Sequence, residues 1–172
     1  MSDVTGDLQN ILSALAERFG QALRSISSFR DNTRLEVSRD RIYDVLQTLR
    51  REFGFDMLID VTAVDYLYYP NARDRFAVIY CLLNVTTGQR LVVKTYLNEP
   101  DLVLPSVFSL WKSADWLERE VYDMFGIVFE GHPNLKRILM PQEFTAFPLR
   151  KDYPLRGFGE RHNFPVITRA ES

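Results

Sequence analysis

The sequence predicts an α+β (mixed α/β) fold, with helices packed on a mostly antiparallel sheet and an extended C-terminal tail. Three patterns carry that expectation. Two early segments place apolar residues at helical spacing, three strand-length runs are separated by turn residues, and the last third keeps its aromatic residues while prolines recur. Two parts are therefore expected: an α/β body over residues 1–125 and an extended, proline-rich docking tail over 126–172.

Leu8, Ile11, Leu12, Leu15, Ala16 and Phe19 recur as one helical face, with Thr5 or Asp7 to cap the start and Gly20 the end. Weaker alternation over 22–28 and 34–38, around Arg30-Asp31-Asn32, predicts a short β-hairpin. Ser38 is placed to cap a second helix, whose stripe is Ile42, Val45, Leu46, Leu49 and Phe53 and whose stop is Gly54. Strands are expected at Met57–Tyr66, Arg75–Leu83 and Arg90–Leu97. Pro70 and Asn71 mark the first connection and Gly88 the second. The middle strand is nearly all apolar, which predicts a central position. Pro105 is expected to open a short helix ending near Trp111. Asp115 and Glu118 have the spacing of a capping box for a further helix that Gly126 ends.

After Gly126 neither helical nor strand periodicity persists. Pro133, Pro141, Pro148, Pro154 and Pro165 interrupt the chain, yet Phe129, Leu135, Ile138, Leu139, Phe144, Phe147, Leu149, Tyr153, Leu155 and Phe158 keep it apolar. A disordered linker is poorer in such residues. A strap lying on another polypeptide accounts better for roughly 40 residues without regular structure.

Composition removes several function classes. With 172 residues, 46% hydrophobic and 26% charged, the chain can bury a real core. A net charge of −2 gives no electrostatic support for nucleic-acid binding. In the tail Lys136, Arg137, Arg150, Lys151, Arg156 and Arg161 alternate with aromatics, a pattern that also suits single-strand binding. Glu130, Glu143, Asp152 and Glu160 offset them, which favours a protein surface of mixed charge. No apolar run reaches membrane-spanning length, and the acidic N-terminus is unlike a secretory signal or a transit peptide. The single cysteine, Cys81, lies in an apolar strand and reads as a small core residue. It cannot form an internal disulfide or hold a thiolate-ligated cluster. His132 and His162 lack metal-binding spacing, and the glycines form neither a phosphate loop nor a dinucleotide fingerprint.

The densest polar cluster is Glu118-Arg119-Glu120-Val121-Tyr122-Asp123-Met124-Phe125-Gly126. On a helical wheel Trp116, Leu117, Val121, Met124 and Phe125 share one side, with Glu120 at its edge and Arg119 and Asp123 able to pair opposite. Two readings are open. Glu120, desolvated by Trp116 and Met124, or Glu118 would serve as a general acid or base. Alternatively these are salt-bridge and interface groups, which fits better because no nucleophile or oxyanion hole accompanies them.

That cluster continues through Ile127-Val128-Phe129-Glu130-Gly131-His132-Pro133-Asn134-Leu135-Lys136-Arg137-Ile138-Leu139. With Phe147-Pro148-Leu149-Arg150-Lys151-Asp152-Tyr153-Pro154-Leu155 and the upstream Asp60-Val61-Thr62-Ala63-Val64-Asp65-Tyr66, it resembles the C-type subunit of respiratory NADH dehydrogenase, the 30-kilodalton subunit family of complex I. The likeness runs from about Leu58 to Leu155. It implies an accessory, non-catalytic subunit of a proton-translocating NADH:quinone oxidoreductase, peripheral on the cytoplasmic side of the bacterial inner membrane. It also implies a C-terminal region that wraps the D-type subunit near the quinone site, with the B-type and I-type subunits as further partners. No cofactor is expected in this chain; FMN and iron–sulfur clusters belong to partner subunits. Glu118, Arg119, Glu120, Asp123, His132 and Pro133 are the expected interface residues around the body–tail junction. Arg137, Arg150, Lys151, Asp152 and Tyr153 continue that set along the tail. Related subunits occur in membrane-bound hydrogenases and in a ferredoxin-dependent photosynthetic relative. One departure stands out: the family usually has Gly shortly before the Pro-Leu-Arg-Lys-Asp run, where this chain carries Ala146, which would be strained in a turn of positive φ.

Overall fold

Apolar periodicity of 3.6 and of 2 alternates along the first hundred residues, and the chain folds accordingly. The computed structural model describes residues 2–30 and 32–159, with side chains described from Leu8 onward. Helix α1 (Ser2–Phe19) buries Ile11, Leu12 and Leu15 and ends in a 3-10 turn at Gly20–Ala22. Strands β1 (Leu23–Phe29) and β2 (Asn32–Val37) form the expected antiparallel hairpin. Helix α2 (Ile42–Arg51) buries Ile42, Val45, Leu46 and Leu49. It starts later than Ser38 predicts: a 3-10 turn at Arg39–Arg41 intervenes, and Ser38 offers its carbonyl to Arg41 N–H at 3.1 Å rather than a side-chain cap.

Strands β3 (Met57–Asp65), β4 (Phe76–Leu83) and β5 (Arg90–Leu97) follow within a residue of expectation. The sheet order is β1-β2-β5-β4-β3, antiparallel except for the β2–β5 pair, and apolar β4 lies inside the sheet as predicted. One sheet face carries Leu35, Val61, Phe76, Val78, Tyr80, Leu91 and Val93 into a core shared with the helices. The other face is only half-buried.

Two expectations fail between β5 and the tail. Pro105 does not open a helix: it ends β6 (Val103–Pro105), which pairs in parallel with β7 (Val128–Glu130). Proline tolerates a strand end, where its missing N–H is not required. The capping box is also absent. Helix α3 (Ala114–Phe125) has no side-chain cap bond, because Glu118 turns inward to Ser106 and Val107. Gly126 does end α3, in the left-handed conformation at φ 76° with its N–H on Tyr122 O. A Cβ there would meet the Phe147 ring at 2.6 Å, so glycine is required twice over. β7 corrects the view that no strand follows Gly126. Its pattern, Phe129 buried between exposed Val128 and Glu130, is three residues long and too short to register as periodicity.

Candidate functional site at the junction of α3 and the C-terminal segment

Helix α3 departs in part from the amphipathicity read from its sequence. Glu118, Arg119 and Asp123 are buried with Val121, Met124 and Phe125, while Trp116 and Glu120 are exposed. Burial of three charged residues on one helix requires partners for each, since an unpaired buried charge is costly. The partners come from the irregular segments on either side.

Asp123 is fully buried, and one carboxylate oxygen accepts three successive backbone N–H groups, from Ile138 (3.0 Å), Leu139 (2.7 Å) and Met140 (2.9 Å). The other oxygen accepts from Arg137 Nη1, which also bonds Asp123 O; Arg137 Nη2 donates to Ala146 O at 3.0 Å. Burial pushes the Asp123 carboxyl up, but the amides and Arg137 outweigh it and hold it below the usual carboxylate range. The guanidinium of Arg137 also lies over the rings of Phe144 and Phe147. The expected Arg119–Asp123 pair is not made. Arg119 donates to Lys136 O at 3.2 Å and stacks over Trp116, 4.7 Å from the ring centroid.

A second constellation holds residues 147–153 against the sheet. Arg75 reaches three carboxylates, Asp65 (3.3 Å), Glu99 (2.6 Å) and Asp152 (2.7 Å). Arg150 pairs with Glu99 at 2.8 Å and donates to Phe125 O at 2.6 Å. Lys151 contributes its backbone N–H, 2.8 Å from Asp65, while its side chain is exposed. Burial works against the charge of Arg75, but the bonds to Asp152 and Asp65 prevail and keep it cationic. Ala146 has negative φ, so the predicted strain there does not arise.

Glu118 differs from the other buried acids in having no cationic partner. Its oxygens accept from Ser106 Oγ (2.6 Å) and Val107 N–H (2.7 Å). Burial pushes its pKa up to about 7; those hydrogen bonds oppose the rise and the charge of Asp115 adds to it. His132 lies alongside, its Nε2 3.5 Å from Asp115 and 3.9 Å from Glu118. Its Nδ1 accepts the Asn134 N–H at 3.1 Å, which places the proton of the neutral ring on Nε2, towards the acids.

The predicted site residues thus divide. Glu118 and Asp123 lie inside the chain and cannot face a partner; Arg119, Arg137 and Arg150 point their charged groups at this chain's own carbonyls and carboxylates. Glu120 and Pro133 are exposed, Asp152 is half-exposed, and Tyr153 packs edge-on to Phe144 and Phe158. Asp65, Arg75 and Glu99 escaped sequence reasoning. Asp65 closes a strand and Arg75 precedes one, positions that give no hint of contact with a segment 77 residues away. Among the described residues no cluster of His, Cys, Asp and Glu is placed to hold a metal ion. The buried carboxylates Glu118, Asp123 and Asp65 are all taken up by internal donors and order the backbone around them.

Helices on one face of a mixed sheet, with a C-terminal segment laced to the body through buried acids, define an α+β domain. Residues 35–159 match the family model described as respiratory-chain NADH dehydrogenase, 30 Kd subunit, and the chain belongs to that family. The C-type subunit of NADH-quinone oxidoreductase from Citrifermentans bemidjiense is 47% identical over 143 residues, 83% of this chain and 87% of that protein. The solved Nqo5 trypsin-resistant fragment (1-134) is 39% identical with a TM-score of 0.67, covering 75% of this chain and 99% of the fragment. A chain of the archaeal membrane-bound sulfane sulfur reductase is 26% identical with a TM-score of 0.72, covering 94% of this chain and 93% of that one.

Proposed function

We propose that this chain is an accessory structural subunit of a proton-translocating NADH:quinone oxidoreductase and is not itself catalytic. It braces the quinone-reducing module of the peripheral arm while electrons pass through cofactors, FMN and iron–sulfur clusters, held by other subunits. The D-type subunit is its chief partner, with the B-type and I-type subunits adjoining, on the cytoplasmic side of the inner membrane. The observation that carries this reading is the fate of the acids in the family motif: Asp123 and Glu118 are bound to backbone N–H groups and to Ser106, leaving neither open to a substrate. Among the described residues no helix is long and apolar enough to cross a membrane, consistent with attachment through companion subunits. The tail over 126–172 supplies the docking anchors. Leu139, Leu149, Leu155 and Phe158 remain 59%, 51%, 96% and 71% exposed although the segment is tied to the body. Apolar side chains so placed gain burial only against another surface.

Affinity purification of the chain from native membranes tests the reading. Flavin-containing NADH-oxidising subunits are expected to co-purify, and a Leu149→Asp, Leu155→Asp double variant is expected to lose them while folding normally. Recovery of a nickel–iron hydrogenase instead would defeat the assembly assignment. A variant complex that keeps every subunit yet loses quinone reduction would return a catalytic role to the chain.

A further inference from the structure

The sheet face turned away from the helices carries a second polar constellation. On β5, Lys94 and Tyr96 alternate with buried Val93, Thr95 and Leu97, so they project from the outer face. There Tyr66, Tyr69, Tyr96, Pro70 and Ala72 line a cleft of about 450 Å³, with Arg24 and Arg73 also contributing to its lining. The Lys94 ammonium is clamped beside it, 2.9 Å from the Tyr66 hydroxyl and 4.8 and 4.4 Å from the Tyr66 and Tyr96 ring centroids.

The charges of this cleft are not balanced internally. Among the described residues Lys94 has no carboxylate within ion-pair distance, and neither Arg24 nor Arg73 forms an ion pair or a side-chain hydrogen bond. Two acids share the lining, Glu36, which neighbours Lys94 across the β2–β5 ladder and accepts the Tyr96 hydroxyl at 3.2 Å, and Asp74, which accepts the Asn98 amide at 2.6 Å; against Arg24, Arg73 and Lys94 they leave the cleft with an excess of positive charge. An ammonium has three donors, and the Tyr66 and Tyr96 hydroxyls account for two at most. Burial draws the Lys94 pKa down, but the hydrogen bonds to Tyr66 and Tyr96 prevail, so the group stays charged. Half-buried Ile79 and Val92 extend the same face as an apolar strip. Ile79 lies opposite Lys94 across the β4–β5 ladder, and Val92 two residues before it.

We propose that this cleft receives a peptide segment of a neighbouring subunit, one that bears a carboxylate flanked by aromatic or aliphatic side chains, with Lys94 as the anchoring cation. The inference rests on the assembly reading above and adds a docking surface distinct from the C-terminal tail. Charge complementarity selects an acid, because a carboxylate on Lys94 makes a charge-assisted bond where the ammonium now has a donor to spare. The tyrosines and the apolar strip select a peptide over a small free anion. Tyrosine is a side chain enriched at interface hot spots, and the strip offers area beyond what a small anion covers.

The test places a benzoylphenylalanine photo-crosslinker at position 72 in the intact purified complex, with mass-spectrometric identification of the adduct. An adduct to an Asp- or Glu-containing segment of another subunit is expected. Lys94→Glu should lower its yield by about tenfold or more, and Lys94→Arg should largely restore it. Labelling confined to this chain, to a lipid or small molecule, or to a segment without an acid would overturn the inference, as would a yield indifferent to Lys94→Glu. Should the chain purify without companion subunits, the assembly reading itself fails and takes this inference with it. An intact complex without the acidic adduct refutes only the cleft.

Discussion

Replacing Asp123 by alanine removes the acceptor for three consecutive amides and the counter-ion of Arg137 at once. Breaking a buried ion pair from one side costs about 3–5 kcal/mol, because the remaining charge is left without a partner. Arg137 has only 9% of its side chain exposed, so the full range would apply if its surroundings stayed dry. Leu139, however, is 59% exposed, and the freed amides can be rehydrated from that side. The lower end, about 3 kcal/mol, is therefore expected, a large part of the ~5–15 kcal/mol that holds a domain together. Urea denaturation of the full chain measures it. Trypsin supplies a local readout, since Lys136 and Arg137 lie in the released segment and their cleavage should accelerate by about 100-fold. Asp123→Asn keeps one acceptor and is expected to lose about 2 kcal/mol. The folded-state pKa of Asp123 is lowered, so its contribution is present above the unfolded carboxylate pKa and disappears as pH falls through the lower folded value. A loss under about 1 kcal/mol for Asp123→Ala, with trypsin cleavage unchanged, would refute the account of this carboxylate as the organiser of the 137–140 turn.

Glu118 should show the opposite pH dependence. Its pKa is raised from the ordinary carboxylate value to about 7, so the folded state holds its proton more tightly and stability falls as pH rises between those values, by up to about 3 kcal/mol. Glu118→Gln should abolish that slope in denaturation curves recorded from pH 5 to pH 8, and equal slopes for both proteins would exclude the buried-acid argument. Gly126→Ala must place a Cβ at positive φ and against the Phe147 ring; a loss of about 2 kcal/mol or more is expected in urea, with faster proteolysis of residues 126–159. Arg75→Ala should cost about 3 kcal/mol because it strands fully buried Asp65, whereas Asp152→Ala, half-exposed, should cost no more than about 1 kcal/mol. Equal losses for the two variants would show that Asp65 is not dependent on Arg75.

Elements governed by local rules were legible in the sequence. β3, β4 and β5 follow alternation and turn glycines, α1 and α2 follow the apolar stripe, and Gly126 marks a left-handed stop that no side chain could occupy. Pro105 misled because a proline that could open a helix suits a strand end equally; the chain after it makes only a turn, in which the Leu110 and Trp111 N–H groups bond Val107 O and Glu118 accepts the Val107 N–H. The family motif marks the segment but not which way its acids turn. Nothing in a helical wheel shows that Glu118 and Asp123 point inward, since hydrophobicity alone would turn Trp116 in and the acids out. Asp65, Arg75 and Glu99 were invisible for another reason: their partner segment, 147–153, is remote in sequence, and its contact with the sheet has no periodic signature.

The charges buried on α3 follow from what it packs against. A helix laid on a sheet or on another helix meets side chains, and apolar residues satisfy it. α3 packs on β3 but also meets irregular backbone on two sides, at 106–107 and 136–140, where N–H and C=O groups have no ladder to join. Such groups cannot be buried unpaired. Carboxylates are the compact acceptors able to take several amides at once, as Asp123 does, and a guanidinium meets carbonyls in the same way, as Arg119 and Arg137 do. Buried ions on α3 and the lack of regular structure after β7 are therefore one design, each needing the other. A tail tied down by polar contacts keeps its apolar side chains free to face outward, so Leu139 and Leu149 stay exposed while their own N–H groups are bound to Asp123 and to Met124 O. Were the acids replaced by leucines, the segment would have no reason to hold its path, and the exposed anchors would lose their common alignment.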